Sequence, residues 1–274
     1  MTNYDAEARK LTEKWNAYEG AYAAGGAIAS IFTATEIRDV DVYFKSREAF
    51  ELAVCQSYDE GLWCVGSSKR AVTFADQSKN ITQLMHFDFF PTAADIFKAF
   101  DYTVVMGAYD YDAKEFVFHD EFLKHNSQRF LRFNPSTRYP LASATRVLKY
   151  QQRGYTIGKG DILKIAMACR GVRIESWDDF KDQIGGAYGD KVVFGKEHEA
   201  FTLEAAIEAL TVNDDGSEPW VKADNDNQPS TGVALLAHLA ALKGEPFDES
   251  RFDGDGWPVG SDQPGYAPWA KEAA

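Results

Sequence analysis

The sequence predicts an α+β fold: a mixed sheet with flanking helices in the first half, then a helical second half. Three observations predict it. Runs of β-branched and aromatic residues bounded by turn residues recur before residue 120, interleaved with helix-period segments. From residue 140 onward, helix-period segments follow one another. A chain of 274 residues with 45% apolar residues can bury a real core, as one large domain or two small ones.

In order along the chain, residues 5–24 read as a helix with Leu11, Trp15, Tyr18 and Tyr22 near one face, broken by Gly25-Gly26. Residues 27–35 suit a short helix. "DVDVYF" (39–44) suits a partly buried strand, with its Val and aromatic residues. Ser46 is placed to cap a helix over 47–60, with Glu48 in its first turn. "AVTF" (71–74) and "ITQLMHF" (81–87) are strands joined through "ADQSKN". Pro91 opens a helix over 92–99, with Ile96, Phe97 and Phe100 inward. "DYTVVMGAY" (101–109) and "KEFVFHD" (114–120) are two more strands around a turn at 110–113.

Pro140 stands at the start of a helix that Gly154 ends. Further helices are expected over 160–170, 176–184, 202–210 and 231–243. Residues 212–232 are Asp/Asn/Pro-rich and read as a loop or linker. The C-terminal end keeps Trp257, Tyr266 and Trp269, which a solvated tail has little use for, so it is expected to be pinned onto the body or a partner. The domain reading is a head over 1–125, a helical domain with a basic face over 126–211, and a linker, helix and acidic aromatic tail over 212–274.

The net charge of -13 argues against indiscriminate nucleic-acid binding. That average hides an asymmetry. Residues 124–173 hold 11 Lys/Arg and one acid, Asp161, whereas 1–123 and 174–274 carry net charges of -9 and -14. An anion-binding face and a solvated surface balanced by acidic neighbours both fit such a block. Arg146, Lys149 and Arg153 fall at i, i+3 and i+7 and share one helix face. The N-terminus lacks the apolar core of a secretory signal. No apolar run approaches the roughly 18 residues of a membrane span. Three cysteines (Cys55, Cys64 and Cys169) without zinc-like spacing suit a reducing compartment, and the expectation is cytoplasmic.

The chemistry centres on "AAGGAIASIFTATEIRDVDVYF" (23–44). Asp39 and Asp41 lie on one side of a strand. Their mutual repulsion calls for a divalent cation or a basic partner. Mg²⁺ is held through one or two carboxylates plus substrate phosphates. A glycine turn ahead of a helix start offers N–H groups and close approach to phosphate. A lone D-x-D is more often a solvated strand face. The Gly-Gly at this spacing, within a mixed α/β pattern, favours a nucleoside-triphosphate site.

Ala24, Gly25, Gly26, Asp39, Val40, Asp41 and Val42 resemble the signature of the polymerase-β-like nucleotidyltransferase superfamily. The wording is similar to poly(A) polymerases and CCA-adding enzymes, and closer still to small nucleotidyltransferase-like proteins of phage genomes. In those, an Ile-Gln strand, an "FD" strand and an R-x-x-K-Y-x-x-R-G-[FY] helix follow. "ITQLM" (81–85), "FDYTVV" (100–105) and "RVLKYQQRGY" (146–155) stand in those places. The resemblance spans residues 20–160. It implies Mg²⁺-dependent nucleotidyl transfer with two metal ions, moving a nucleoside monophosphate from an NTP to an acceptor hydroxyl of an RNA 3′ end, a protein or a small molecule. Asp39 and Asp41 would hold metal, Gly25 and Gly26 would cradle phosphates, and Arg146, Lys149 and Arg153 would reach the triphosphate or an RNA backbone. The family's third carboxylate falls at Gln83, which is neutral. Asp101 is then expected to supply that acid, with Asp88 as the alternative. Arg70 is a further candidate for phosphate.

Two other readings stand beside catalysis. One is a non-catalytic nucleotidyltransferase-like module that binds nucleotide or a partner protein. The other is an acidic 174–274 segment folding over the basic helix as a nucleic-acid mimic. Tyr150 and Tyr155 are expected in the core rather than against a base. "DNDNQP" and "DGDGWP" lack the glycine and glutamate of a calcium loop, "GKGD" (158–161) lacks the rest of a P-loop, and the five histidines show no ligand or triad spacing.

Overall fold

Strand β1 (Ala21–Ala24) sits inside a seven-stranded mixed sheet of order β3-β4-β5-β2-β1-β6-β7. The structure is a computed structural model that describes residues 16–186, 192–194, 200–210, 220–222, 229–254 and 256–260. The other strands are β2 (Asp39–Phe44), β3 (Trp63–Ser67), β4 (Ala71–Ala75), β5 (Ile81–Met85), β6 (Gly107–Asp110) and β7 (Glu115–Phe118). Strand β1 runs antiparallel to β2 and to β6, while β2 pairs with β5 in parallel. The 5–24 helix expectation fails at its C-terminal end, because Ala21–Ala24 is a strand buried at every position. Alanine favours helices intrinsically, but here small side chains suit a strand flanked on both edges. Residues 16–20 are coil and turn rather than helix, and the rest of that expectation, residues 5–15, lies outside the described residues.

The chain divides into two compact units, and the division is discontinuous, unlike the expected boundaries at 125 and 211. The first contains the described residues before Ala94, Ala108–Val117 and the described residues after Asp224. Strand pairing draws 108–117 into it, and helix packing draws in the C-terminal segment. Helix α1 (Gly26–Thr33) links β1 to β2, and α2 (Arg47–Asp59) follows β2. Ser46 Oγ accepts from the Ala49 N–H, the expected N-cap, worth about 1 kcal/mol.

The C-terminal helix of this unit, Gly232–Lys243 (α9 in chain order), lies against α2. A Cβ at Gly232 would stand 3.1 Å from Cys55 Cα, so the two helices meet closely there. Leu235, Leu236 and Leu239 are buried. Arg251 forms a two-pronged ion pair with buried Glu51, and Arg47 pairs with Glu245 at 3.0 Å. Trp257 is buried, as expected for a pinned end, while Tyr266 and Trp269 lie outside the described residues.

The second unit contains 94–107 and the described residues from 118 to 222. Its helices are α3 (Ala93–Ala99, counted from Ala94 in this unit), α4 (Phe122–Ser127), α5 (Pro140–Gln152), α6 (Lys159–Arg170), α7 (Trp177–Gly185) and α8 (Leu203–Ala209). Two short strands, β8 (Phe130–Leu131) and β9 (Thr156–Ile157), pair in parallel. Strands β10 (Val192–Phe194) and β11 (Trp220–Lys222) pair antiparallel. One core gathers Tyr102, Leu131, Phe133, Val147, Tyr150, Tyr155 and Ile165. This places Tyr150 and Tyr155 in the core, as expected. A second core gathers Trp177, Phe180, Phe194 and Ala206.

Residues 101–109 are not one strand. Thr103–Val105 is a 3-10 turn, and the strand begins only at Gly107. The turn is fixed by Thr103 Oγ1 and His125 Nδ1 at 2.7 Å, and by the Asn126 amide donating to the Val104 carbonyl at 2.9 Å. Asp161, the one acid of the basic block, is buried. It accepts from the Phe133 N–H at 3.2 Å and pairs with Arg132 at 3.3 Å and Lys164 at 3.5 Å.

Candidate functional site

In the first unit, the turn between β1 and α1 places Gly25 at φ 87°, ψ -131°. Side chains strongly disfavour that conformation, so glycine is required here. Its carbonyl accepts from the Ala29 N–H at 3.1 Å and opens the helix. A Cβ on Gly26 would meet nothing within 4 Å. The packing of the protein therefore does not demand glycine at 26, and the space in front of it is open.

The sheet then sets Asp41. Ala24 pairs with Asp41 across β1–β2, Asp41 with Gln83 across β2–β5, and Gln83 with Thr73 across β5–β4. Directly paired residues share a face, with neighbouring strands about 4.8 Å apart. Ala24, Asp41, Gln83 and Thr73 thus form one row. Asp39 stands two residues away on the same side of β2. Asp39 is exposed and Asp41 buried, while Val40 and Val42 fill the opposite face at 0% exposure. Ala24 leaves room beside Asp41, and the glycine turn follows it immediately. The structure therefore brings four predicted residues, Gly25, Gly26, Asp39 and Asp41, to one end of β1–β2.

The donor chemistry suits a hard cation. Gln83 Oε1 is buried and receives no hydrogen bond. Its neighbour across the ladder is Asp41, so two carboxylates and one amide oxygen share this part of the sheet. Mg²⁺ is held by such oxygen ligands when phosphate and water complete the shell. Among the described residues, no group of three or more His, Cys, Asp or Glu gathers where it could hold a metal. Gln83, a neutral residue, is what faces Asp41 from β5. Asp88 lies in the loop after β5, where its Oδ1 accepts from the Phe89 N–H at 2.9 Å. The Arg70 carbonyl accepts from the His86 N–H at 2.7 Å.

Asp101 belongs to the second unit, together with Arg146, Lys149 and Arg153. Asp101 is 4% exposed and pairs with Arg146 at 3.0 Å. Arg146 also donates to the Tyr150 hydroxyl at 3.2 Å. Lys149 on α5 and Arg153, which caps its C-terminus, are exposed. Sequence reasoning gave Asp101 and Arg146 separate roles and missed their pairing. They stand 45 residues apart, and no local pattern links them.

Residues 3–129 match the model of the Gabija anti-defense 2 (Gad2) family. A curated relative, Gabija anti-defense 2 of Bacillus phage SPbetaL7, is 39% identical over 193 residues, which is 69% of this chain and 48% of the relative. The chain thus spans about half the length of that relative. Among solved structures, a tRNA-processing enzyme with CTP is similar at a TM-score of 0.46 and 14% identity, covering 60% of this chain and 46% of that one. The Thermotoga maritima CCA-adding enzyme complexed with tRNA is similar at a TM-score of 0.46 and 12% identity, covering 76% and 49%. No described helix is long and apolar enough to cross a membrane. Over residues 3–129, then, the chain carries the sequence pattern of the Gabija anti-defense 2 family.

Proposed function

We propose that this protein is a nucleotidyltransferase that moves a nucleoside monophosphate from an NTP to an acceptor hydroxyl, in an anti-defense role of the kind named in its phage relative. One observation carries the reading. The β1–turn–α1–β2 unit puts Asp39 and Asp41 on one face, with Asp41 paired to the residue just before the Gly25-Gly26 turn. Gly26 and the following N–H groups of α1 bind phosphate oxygens at the positive end of the helix. Asp39, Asp41 and Gln83 hold Mg²⁺. When bound, the metal neutralises phosphate charge and activates the acceptor oxygen.

Asp101 as a further acid, and Arg146, Lys149 and Arg153 as triphosphate or acceptor contacts, are part of the same proposal. The acceptor is an RNA 3′ end, a protein hydroxyl or a small molecule. Incubation with Mg²⁺, each α-labelled NTP and a mixed pool of host RNA and protein tests it. Label should move to one acceptor class and should disappear in an Asp39→Ala/Asp41→Ala variant. Transfer that survives the double variant overturns the assignment.

A second reading, a module that binds nucleotide without transferring it, is favoured by one observation: Gln83, not an acid, faces Asp41 across the ladder. Triphosphate binding without transfer to any acceptor would select that reading.

A further inference from the structure

A cavity of about 90 Å³ in the first unit lies between α2, α9, the segment after β5 and the segment after α9. That is room for roughly three water molecules at about 30 Å³ each. The cavity stands at the other end of the β2–β5 pair from the two aspartates. Asp39 pairs with Ile81 at the start of β5, whereas His86, on the cavity wall, follows the end of that strand. His86 comes three residues after Gln83, about 10 Å of extended chain.

Its wall is part apolar and part charged. Phe50 and Leu239 are buried there, and the His86 ring stacks on Phe50. Three cations, Arg47, Lys243 and Arg251, stand with three acids, Glu51, Glu245 and Asp248. Two ion pairs are closed: Arg251 holds Glu51, and Arg47 holds Glu245. Asp248 caps the turn at Glu249–Arg251, accepting from the Ser250 N–H at 3.0 Å and hydroxyl at 2.7 Å. Lys243 is left over. Its Nζ donates to the His86 carbonyl at 3.0 Å, and among the described residues no carboxylate stands within ion-pair distance of it. Burial lowers its pKa, Glu245 offsets part of that from a distance, and the Arg47 charge adds to the lowering. An ammonium so placed is short of counter-charge.

We propose that this cavity binds a small monocarboxylate with a short apolar body, its carboxylate on Lys243 and its body against Phe50 and Leu239. Charge sets the head group. The other charges are paired or capped, so one negative charge completes the set. A phosphate dianion or a triphosphate would bring surplus charge against Glu51, Glu245 and Asp248. Arg47 binds Glu245 through one nitrogen only, so its remaining N–H groups are donors for the same carboxylate. Volume and wall set the body. A few carbon atoms fill the space of the released waters, and burying them against phenylalanine and leucine is favourable, whereas a polar body would find no partners there.

Isovalerate titrated into the full chain, followed by calorimetry and by NMR of the His86 ring, tests this, with isovaleramide and inorganic phosphate as controls. Saturable one-to-one binding is expected, with a dissociation constant on the order of 1 mM, in reach of a ligand of about seven heavy atoms. The His86 ring resonances should shift along the same curve. Isovaleramide and phosphate should bind about tenfold more weakly or worse. Lys243→Met keeps the apolar stem, and Ala240→Leu fills the cavity without touching a charge. Each should weaken isovalerate binding about tenfold or more, with unchanged circular dichroism. Asp39→Ala/Asp41→Ala should bind isovalerate as the native protein does, which keeps this test apart from that of nucleotidyl transfer. Absence of saturation in the native protein overturns the proposal. So does affinity that survives Lys243→Met or Ala240→Leu, or phosphate binding as tight as that of isovalerate.

Discussion

His86 gives the sharpest physical test of the first unit. Its ring is 2% exposed and stacks on Phe50 with centroids 4.9 Å apart. Nε2 lies 3.2 Å from the Ser68 carbonyl. Burial first, and the nearby Lys243 cation second, push its pKa from 6.5 down to about 3. The folded protein therefore holds neutral imidazole, while the unfolded chain binds a proton below about pH 6.5. The unfolded state takes up more protons over this window, so stability falls as pH falls from about 6.5 toward 3.

At about pH 5 the difference is roughly 1.5 pH units at 1.36 kcal/mol each, or about 2 kcal/mol. Urea unfolding of the native protein and of His86→Phe, at about pH 7.5 and about pH 5, reads this out. Phenylalanine keeps the stacking and removes the titration. The native protein should lose about 2 kcal/mol more than the variant on acidification. Equal losses in the two proteins would refute the reasoning, whatever the variant's stability at neutral pH.

The two glycines should separate fold from ligand. Gly25→Ala forces a side chain into the φ 87°, ψ -131° conformation and should cost roughly 1–3 kcal/mol in urea unfolding. Gly26→Ala meets no atom within 4 Å and should leave stability unchanged or raise it by up to about 1 kcal/mol. Calorimetry should nevertheless show weaker triphosphate binding for Gly26→Ala; unchanged affinity would remove Gly26 from the phosphate cradle. Asp161→Asn turns an acceptor of the Phe133 N–H, Arg132 and Lys164 into a neutral amide. Urea unfolding should show a loss of about 1–3 kcal/mol, toward the low end because both cations are partly solvated.

Local chemistry made much of the fold legible. Ser46 capping, Pro140 at a helix start and the β-branched run of β2 each act within a few residues. β3 escaped notice because it is an edge strand. It alternates exposed Trp63 and Val65 with buried Cys64 and Ser67, and a bulge near Gly66 breaks the pattern. Ala21–Ala24 reads as helix from its alanines and becomes strand only through β2 and β6. Thr103–Val105 reads as strand from its β-branched residues, but Thr103 is tied to His125 and the Val104 carbonyl to Asn126.

At the candidate site, glycine and aspartate spacing along one short segment was legible. What stands across from Asp41 depends on the register with β5. That register puts the neutral Gln83 across from Asp41.

The most direct test of the central claim is single-turnover transfer from α-labelled NTP in Mg²⁺, compared between the native protein and Asp41→Asn. The substitution keeps size and removes one carboxylate charge from the proposed metal site. The account predicts transfer reduced by about a hundredfold or more, because metal stabilisation of the reacting phosphate is worth several kcal/mol, with the fold intact by circular dichroism. Transfer at the native rate in Asp41→Asn would contradict it.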